Sequence, residues 1–429
     1  MTELSPFKLA ILIGFGVAIV GGFLAISMFS GVGGGGTTRV ALWGTVPTTV
    51  MNGVIQRAVP DDAPVLIEYR QIAPESFDNE LLQALAAGRG PDLVLMPNDK
   101  IVMHRDKIWT IPFETYDERR FQSTFARAGE IFLRPDGVVG LPLTIDPLVL
   151  YWNRTLFDQN RVVNPPRTWA SFNDDPMKSF ILRDGSRIDR SMVALGNFDN
   201  VRNAKSILAA LMMQSGSSLV RRTSDGYQAA LIQSSRSGLL PPAVTAVNFY
   251  TQFANSSRPV YTWNSALPES RQAFLNGDLA VYFGFASERR DLIAQNPNLD
   301  FGVELLPQAS ESTEQLTVAR VQGLAILNRS PNKGAALAAA MLLSDREGSL
   351  RTAELLELPP VRRDLLGERQ NRAHMIVFYD SVHIARAWLD PNPARSTEIF
   401  RDMVQAIQSG RLRTADAVSR ANNELQNIF

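Results

Sequence analysis

Two carboxylates and a set of large aromatic side chains carry most of the chemistry in this chain. Asp99 closes the apolar run PDLVLMPND (residues 91–99), and Asp146 stands alone in LPLTIDPLVL (141–150). A carboxylate accepts directed hydrogen bonds on both oxygens, which suits the vicinal hydroxyls of a polyol. Asp99 could equally cap a following helix, and the two roles are compatible. A buried carboxylate without a partner is costly, so Asp146 needs a donor from the protein or from a bound molecule. Trp43 ends a strand in WGT, Trp263 sits in the loop-like YTWN after Pro259, and Trp388 precedes Leu-Asp-Pro-Asn-Pro. Tyr151 and Trp152 alternate along one strand, so only one of them can face a given side. Tyr282, Phe283 and Phe285 surround Gly284 at another strand end. Aromatic faces beside carboxylates are the equipment for holding a sugar ring. Each ring also has a plain alternative as core packing, and two acids in a cleft are the minimum for glycoside hydrolysis, a remoter reading.

Other chemistries find little support. Cysteine is absent, which removes disulfides, thiolate metal sites and cysteine nucleophiles. The three histidines, His104, His374 and His383, lack metal-binding spacing, so no metal or organic cofactor is expected. His104 in MHRDK reads as solvated. Gly-x-Ser-x-Gly is missing. The glycine run 31–36 has neither a preceding strand nor a following Lys-Ser/Thr, so it does not read as a phosphate loop. Lys plus Arg and Asp plus Glu are both 43, and a chain with no basic excess is a poor nucleic-acid binder.

The elements that must position these residues alternate. Strand signals at 39–45, 65–72 and 91–99 enclose helical patterns at 48–58 and 74–87, the mark of a doubly wound α/β lobe. Residues 168–295 read as mostly helical, with candidates at 200–215, 224–235, 242–255, 268–276 and 286–295. Strands follow at 279–284, 300–307 and 323–328, then the alanine-rich helix 332–343 and two amphipathic C-terminal helices. At 429 residues the chain exceeds one ordinary core, and strands separated by long helical stretches imply discontinuous lobes with a hinged cleft.

Leu9 to Phe29 holds no charged residue. As a helix it would span roughly 31 Å, about one hydrocarbon core. The glycine-rich 31–38 behind it reads as a tether. Residues 1–30 are therefore expected to be a single-pass anchor, with a cleaved signal as the alternative. Either leaves residues 39–429 outside the membrane.

The order of several segments resembles the extracellular solute-binding proteins, the capture subunits of ABC importers, in the family 1, maltose-binding-protein-like branch. The segments are AAGRGPDLVLMPND (86–99), VVGLPLTIDPLVLYWNRTLFDQNRVVNPPRTWASF (138–172), FLNGDLAVYFGFASE (274–288), NPNLDFGVELLPQ (296–308), RVQGLAILNRS (320–330) and IQSGRLRTADAVSRANNEL (407–425). The resemblance implies a two-lobed periplasmic-binding-protein type II fold, with residues 39–145 and 305–350 in one lobe and 146–304 and 351–429 in the other. It implies a monomer, not an enzyme, that closes around a small solute, a carbohydrate in the first place, and hands it to permease subunits. A membrane-tethered sensor or scaffold of the same fold is the alternative. The solute-binding residues it implies are Trp43, Asp99, Asp146, Tyr151, Trp263, Phe285, Ser287 and Trp388.

Overall fold

The computed structural model describes residues 37–429 apart from 186, 224–225, 234–239, 310–313 and 369. The expected N-terminal anchor and residues 31–36 of the tether lie outside the described residues. Among those described, no helix is long and apolar enough to cross a membrane.

One mixed sheet runs through the molecule. Its strands are β1 (Thr38–Gly44), β2 (Val65–Gln71), β3 (Leu93–Pro97), β4 (Leu141–Asn153), β5 (Leu182–Asp184), β6 (Arg187–Val193), β7 (Leu279–Phe285), β8 (Phe301–Glu304), β9 (Thr317–Ile326) and β10 (Ala385–Arg386). The order is β2-β1-β3-β9-β4-β7-β6-β5, with β8 also on β4 and β10 on β9. β1, β2 and β3 are parallel, as the alternating strand and helix signals require. β3 is buried along nearly its whole length, which its unbroken apolar run LVLMP allows between helical layers.

β4 is the spine. Its first half pairs with β9, from Leu141 opposite Leu324 to Pro147 opposite Ala319. Its second half pairs with β7 and β8. The two hydrophobic cores divide on this strand: Ile145 belongs to the first and Leu148 to the second. β9 divides at the same level, between Val318 and Ala319. Pro147, which has no N–H for a ladder, sits at the change-over. Two antiparallel strands that change cores side by side make a two-stranded crossing between lobes.

The first core also takes Val361, Leu366, Tyr379, Val382 and Ala385, and helix Arg346–Leu356 packs along helix Thr48–Ala58. Sequence reading sends everything after 350 to the second lobe. Between 350 and β10 the chain instead serves both cores, with Leu358 and Phe378 in the second, and Ile399 to Leu425 then complete the second. Residues 226–229 also differ from the expected helix 224–235. They form a hairpin strand against Val220–Thr223, opening on Gly226 at φ 135°, a conformation no helix uses.

Candidate functional site

A cleft of about 320 Å³ lies where β4 and β9 cross. One wall is built by the end of β3, where Asn98 and Asp99 open a short 3₁₀ turn. Asn98 is buried. It accepts from Val321 N at 2.9 Å and donates to the Trp388 carbonyl at 3.3 Å, so it ties β3, β9 and the C-terminal region together. Among the described residues no donor hydrogen-bonds the Asp99 carboxylate. Burial raises its pKa, and so does nearby Asp390, while Lys205, Arg320 and Lys100 pull it down.

The opposite wall starts at Asn203, whose left-handed backbone (φ 62°) opens helix Ala204–Gln214 and turns Lys205 into the cleft. Lys205 pairs with Asp390, donates to Ser396 Oγ at 2.7 Å and lies 5.4 Å over the Trp388 ring. Asp390 is fully buried and also accepts from Ser396 Oγ (2.8 Å) and Asn392 N (3.1 Å). This network fixes Trp388, which lines the cleft.

Arg320 forms the floor. Its guanidinium lies 3.7 Å over the Phe285 ring and donates to Asn203 Oδ1 at 3.4 Å. Across the strand pair it faces Asp146. Asp146 accepts from Ser287 N at 3.0 Å and Ser287 Oγ at 2.7 Å, so both its oxygens bind the loop after β7. Burial pushes its carboxyl up to about 6, against the pull of Arg320 and the Ser287 hydrogen bonds. The buried Glu288 holds the same loop, accepting from Phe285 N (2.9 Å) and Asn203 Nδ2 (2.7 Å). Gly284 is required here, since a Cβ would sit 2.7 Å from the Tyr282 ring.

The cleft thus offers one open carboxylate acceptor, the Arg320 guanidinium as donor and the Trp388 ring, while the Lys205 ammonium is used by Asp390, Ser396, Pro393 and Thr397. Among the described residues no group of three or more His, Cys, Asp or Glu could hold a metal ion.

The sequence matches the family of bacterial extracellular solute-binding proteins over residues 61–371. The chain belongs to that family. This solute-binding protein is a binder and not an enzyme, and it works outside the cytoplasm. A search of curated proteins finds no match. Solved structures share its fold at low identity. A cyclo/maltodextrin-binding protein complexed with maltotetraose has a TM-score of 0.73 and 17% identity, covering 92% of this chain and 98% of its own. The sugar-binding protein MalE from Xanthomonas citri gives 0.72 and 18%, covering 91% and 97%. An ABC transporter solute-binding protein from Thermotoga lettingae TMO bound with alpha-D-tagatose gives 0.67 and 20%, covering 91% and 100%.

Of the expected residues, the solute-binding protein brings Asp99 and Trp388 to the cleft, with Phe285 behind them, fully buried under the Arg320 guanidinium. Trp43 is packed in the first core with Arg70 4.5 Å over its ring, which takes the face a solute would need. Tyr151 is fully buried, and its hydroxyl donates to the Phe285 carbonyl at 2.8 Å. Trp263 is fully buried too, its indole N–H donating to Asn200 Oδ1 at 3.0 Å, so it supports the second core and cannot stack on a solute. Asp146 and Ser287 serve each other at the crossing and do not line the cleft. His104 is not solvated: it is buried with Nε2 2.9 Å from Asp78 Oδ1. Sequence reading missed Asn203, Lys205, Arg320 and Asp390. Only Arg320 left a signal, as a lone charge between apolar strand residues in TVARVQG.

Proposed function

We propose that this protein is the capture subunit of an ABC importer and takes a carbohydrate between its lobes. The observation that carries the reading is Asp99, an acceptor without a protein donor, opposite the Trp388 face and beside Arg320 and Lys205. Sugar hydroxyls satisfy such a carboxylate, and a sugar's C–H face fits the indole. The volume of about 320 Å³ is at the small end for ligand pockets and suits one or two sugar rings better than a long oligosaccharide. The sugars named with the solved relatives support the same class. The crossing at Asp146–Leu148 and Val318–Ala319 is the hinge of this reading. The N-terminal apolar segment is its membrane tether, and the partner is a permease with its ATPases.

The test is a thermal-shift screen of the full chain in detergent against mono- and disaccharides, amino acids, peptides and polyols. A ligand at 100 times its Kd adds about 2.7 kcal/mol. A rise with one saccharide that disappears in Asp99→Asn and in Trp388→Ala establishes the reading. A rise only with another class, or with a sugar but unchanged in both variants, overturns the carbohydrate site.

A further inference from the structure

A second cavity of about 500 Å³ lies on the first lobe, across the pairing of β9 with β10 from the cleft and sharing no lining residue with it. In the pairing of β9 with β10, Val318 stands opposite Arg386. Val318 lines the solute cleft and Arg386 lines this cavity.

Its lining is dominated by guanidinium groups. Arg127, Arg363 and Arg386 line it with His383, against one lining carboxylate, Glu314. Arg127 Nη1 and Arg386 Nη2 donate to the same Glu314 oxygen, the first at 2.7 Å. Arg386 also donates to the Ala385 carbonyl at 2.9 Å. Arg363 Nε donates to the Phe125 carbonyl at 2.6 Å, and its Nη2 is 3.5 Å from Glu130. Three guanidiniums carry about fifteen N–H donors, so these contacts leave most of them open. Among the described residues three permanent cations meet two carboxylates here, in a chain whose overall charge is zero. The Arg386 side chain is mostly buried, and burial together with Arg127 holds its pKa below the ordinary arginine value. The protein therefore maintains an unfavourable concentration of like charge in a concave site. Planar guanidinium forks match tetrahedral and planar oxyanions bidentately, which a lysine cluster would not.

We propose that this cavity binds a phosphate-type oxyanion, held by the N–H groups of Arg127, Arg363 and Arg386 that their protein partners leave free. The site is separate from the solute cleft and does not depend on what the cleft binds.

The experiment is isothermal titration of the full chain in non-ionic detergent with inorganic phosphate, ionic strength held constant with sodium chloride. Glycerol phosphate is titrated in parallel. Uptake of about one phosphate per chain is expected, weakened at least about tenfold in Arg386→Gln and in Arg127→Gln. The exposed control Arg39→Gln should bind as the parent does. Arg127 is half-exposed, so its variant keeps the test valid if the Arg386 variant fails to fold. Glycerol phosphate binding at least about tenfold tighter than phosphate assigns the site to an esterified phosphoryl group, and equal affinity assigns it to the free ion. No uptake beyond the chloride blank, or uptake undiminished in Arg127→Gln, overturns the proposal.

Discussion

Asp146→Asn should stabilise the protein at neutral pH and stabilise it less as the pH falls. In the folded protein the Asp146 carboxyl titrates near 6 instead of 3.8, with burial as the leading cause. A carboxyl raised on folding binds its proton more tightly in the native state than in the unfolded chain. The stability this gives is complete below about pH 4 and is lost as the pH rises through about 6. The gap corresponds to about 3 kcal/mol. Asp146 keeps partial contact with solvent, which lowers the expected effect to about 1–2 kcal/mol. Asparagine has the shape of the protonated acid. Its Oδ1 can still accept from Ser287 N, and its amide can donate to Ser287 Oγ. Urea unfolding of both proteins across the range from about pH 4 to about pH 7 gives the comparison. The difference should be smallest at the acid end and grow to about 1–2 kcal/mol in favour of the variant at neutral pH. A difference that does not change with pH, or an aspartate that is the more stable residue at neutral pH, would refute the account of burial at the crossing.

Other changes separate the cleft from its supports. Trp388→Ala should weaken solute binding by about 0.5–1.5 kcal/mol in calorimetry, the contribution of one aromatic face, and should lower stability less than truncation of a fully buried Trp does, because Trp388 is only partly buried. Trp263→Ala should do the reverse, lowering stability by about 3–5 kcal/mol in urea with the affinity of the folded fraction intact. Lys205→Met strands the buried Asp390 carboxylate and should cost about 3–5 kcal/mol; adding Asp390→Leu should recover part of that loss, and no recovery would show the pair is not the source. Arg320→Ala removes the guanidinium that lowers Asp146, so the pH step in stability should move above 6 and solute affinity should fall.

The fold was largely legible because strands covered by helices and paired in parallel with a neighbour leave uninterrupted apolar runs, as in β3 and β7. The hairpin at 220–229 was not, because the apolar spacing after Gly226 fits a helix as well as a strand, and only backbone pairing decides between them. The site was legible where residue type and strand end coincide. Asp99 and Trp388, which line the cleft, each combine a polar or aromatic side chain with a break in regular structure. Trp263 has the same local signal, yet Asn200 and the second core surround it, and those contacts come from 63 residues away. Lys205 and Asp390 could not be read as a pair, since 185 residues separate them and neither has a distinctive neighbourhood in sequence. Asp146 was correctly expected to need a partner. That the partner is the Ser287 loop, and not a solute, is a fact of the crossing geometry.

The interleaving of the two lobes along the chain also governs how the molecule can be made. Asn98 at the end of β3 waits for Val321, 223 residues later, before its hydrogen bond can form. The first core cannot close until the chain has been extended through β10, and the second cannot close until Leu425 arrives. Contacts of such long sequence separation slow folding, because loop closure must precede the burial that rewards it. A chain that stays open until nearly all of it is available is suited to threading through a translocon as an unfolded polypeptide. The topology that creates a cleft thus also makes each lobe wait for nearly the whole chain before it can compact.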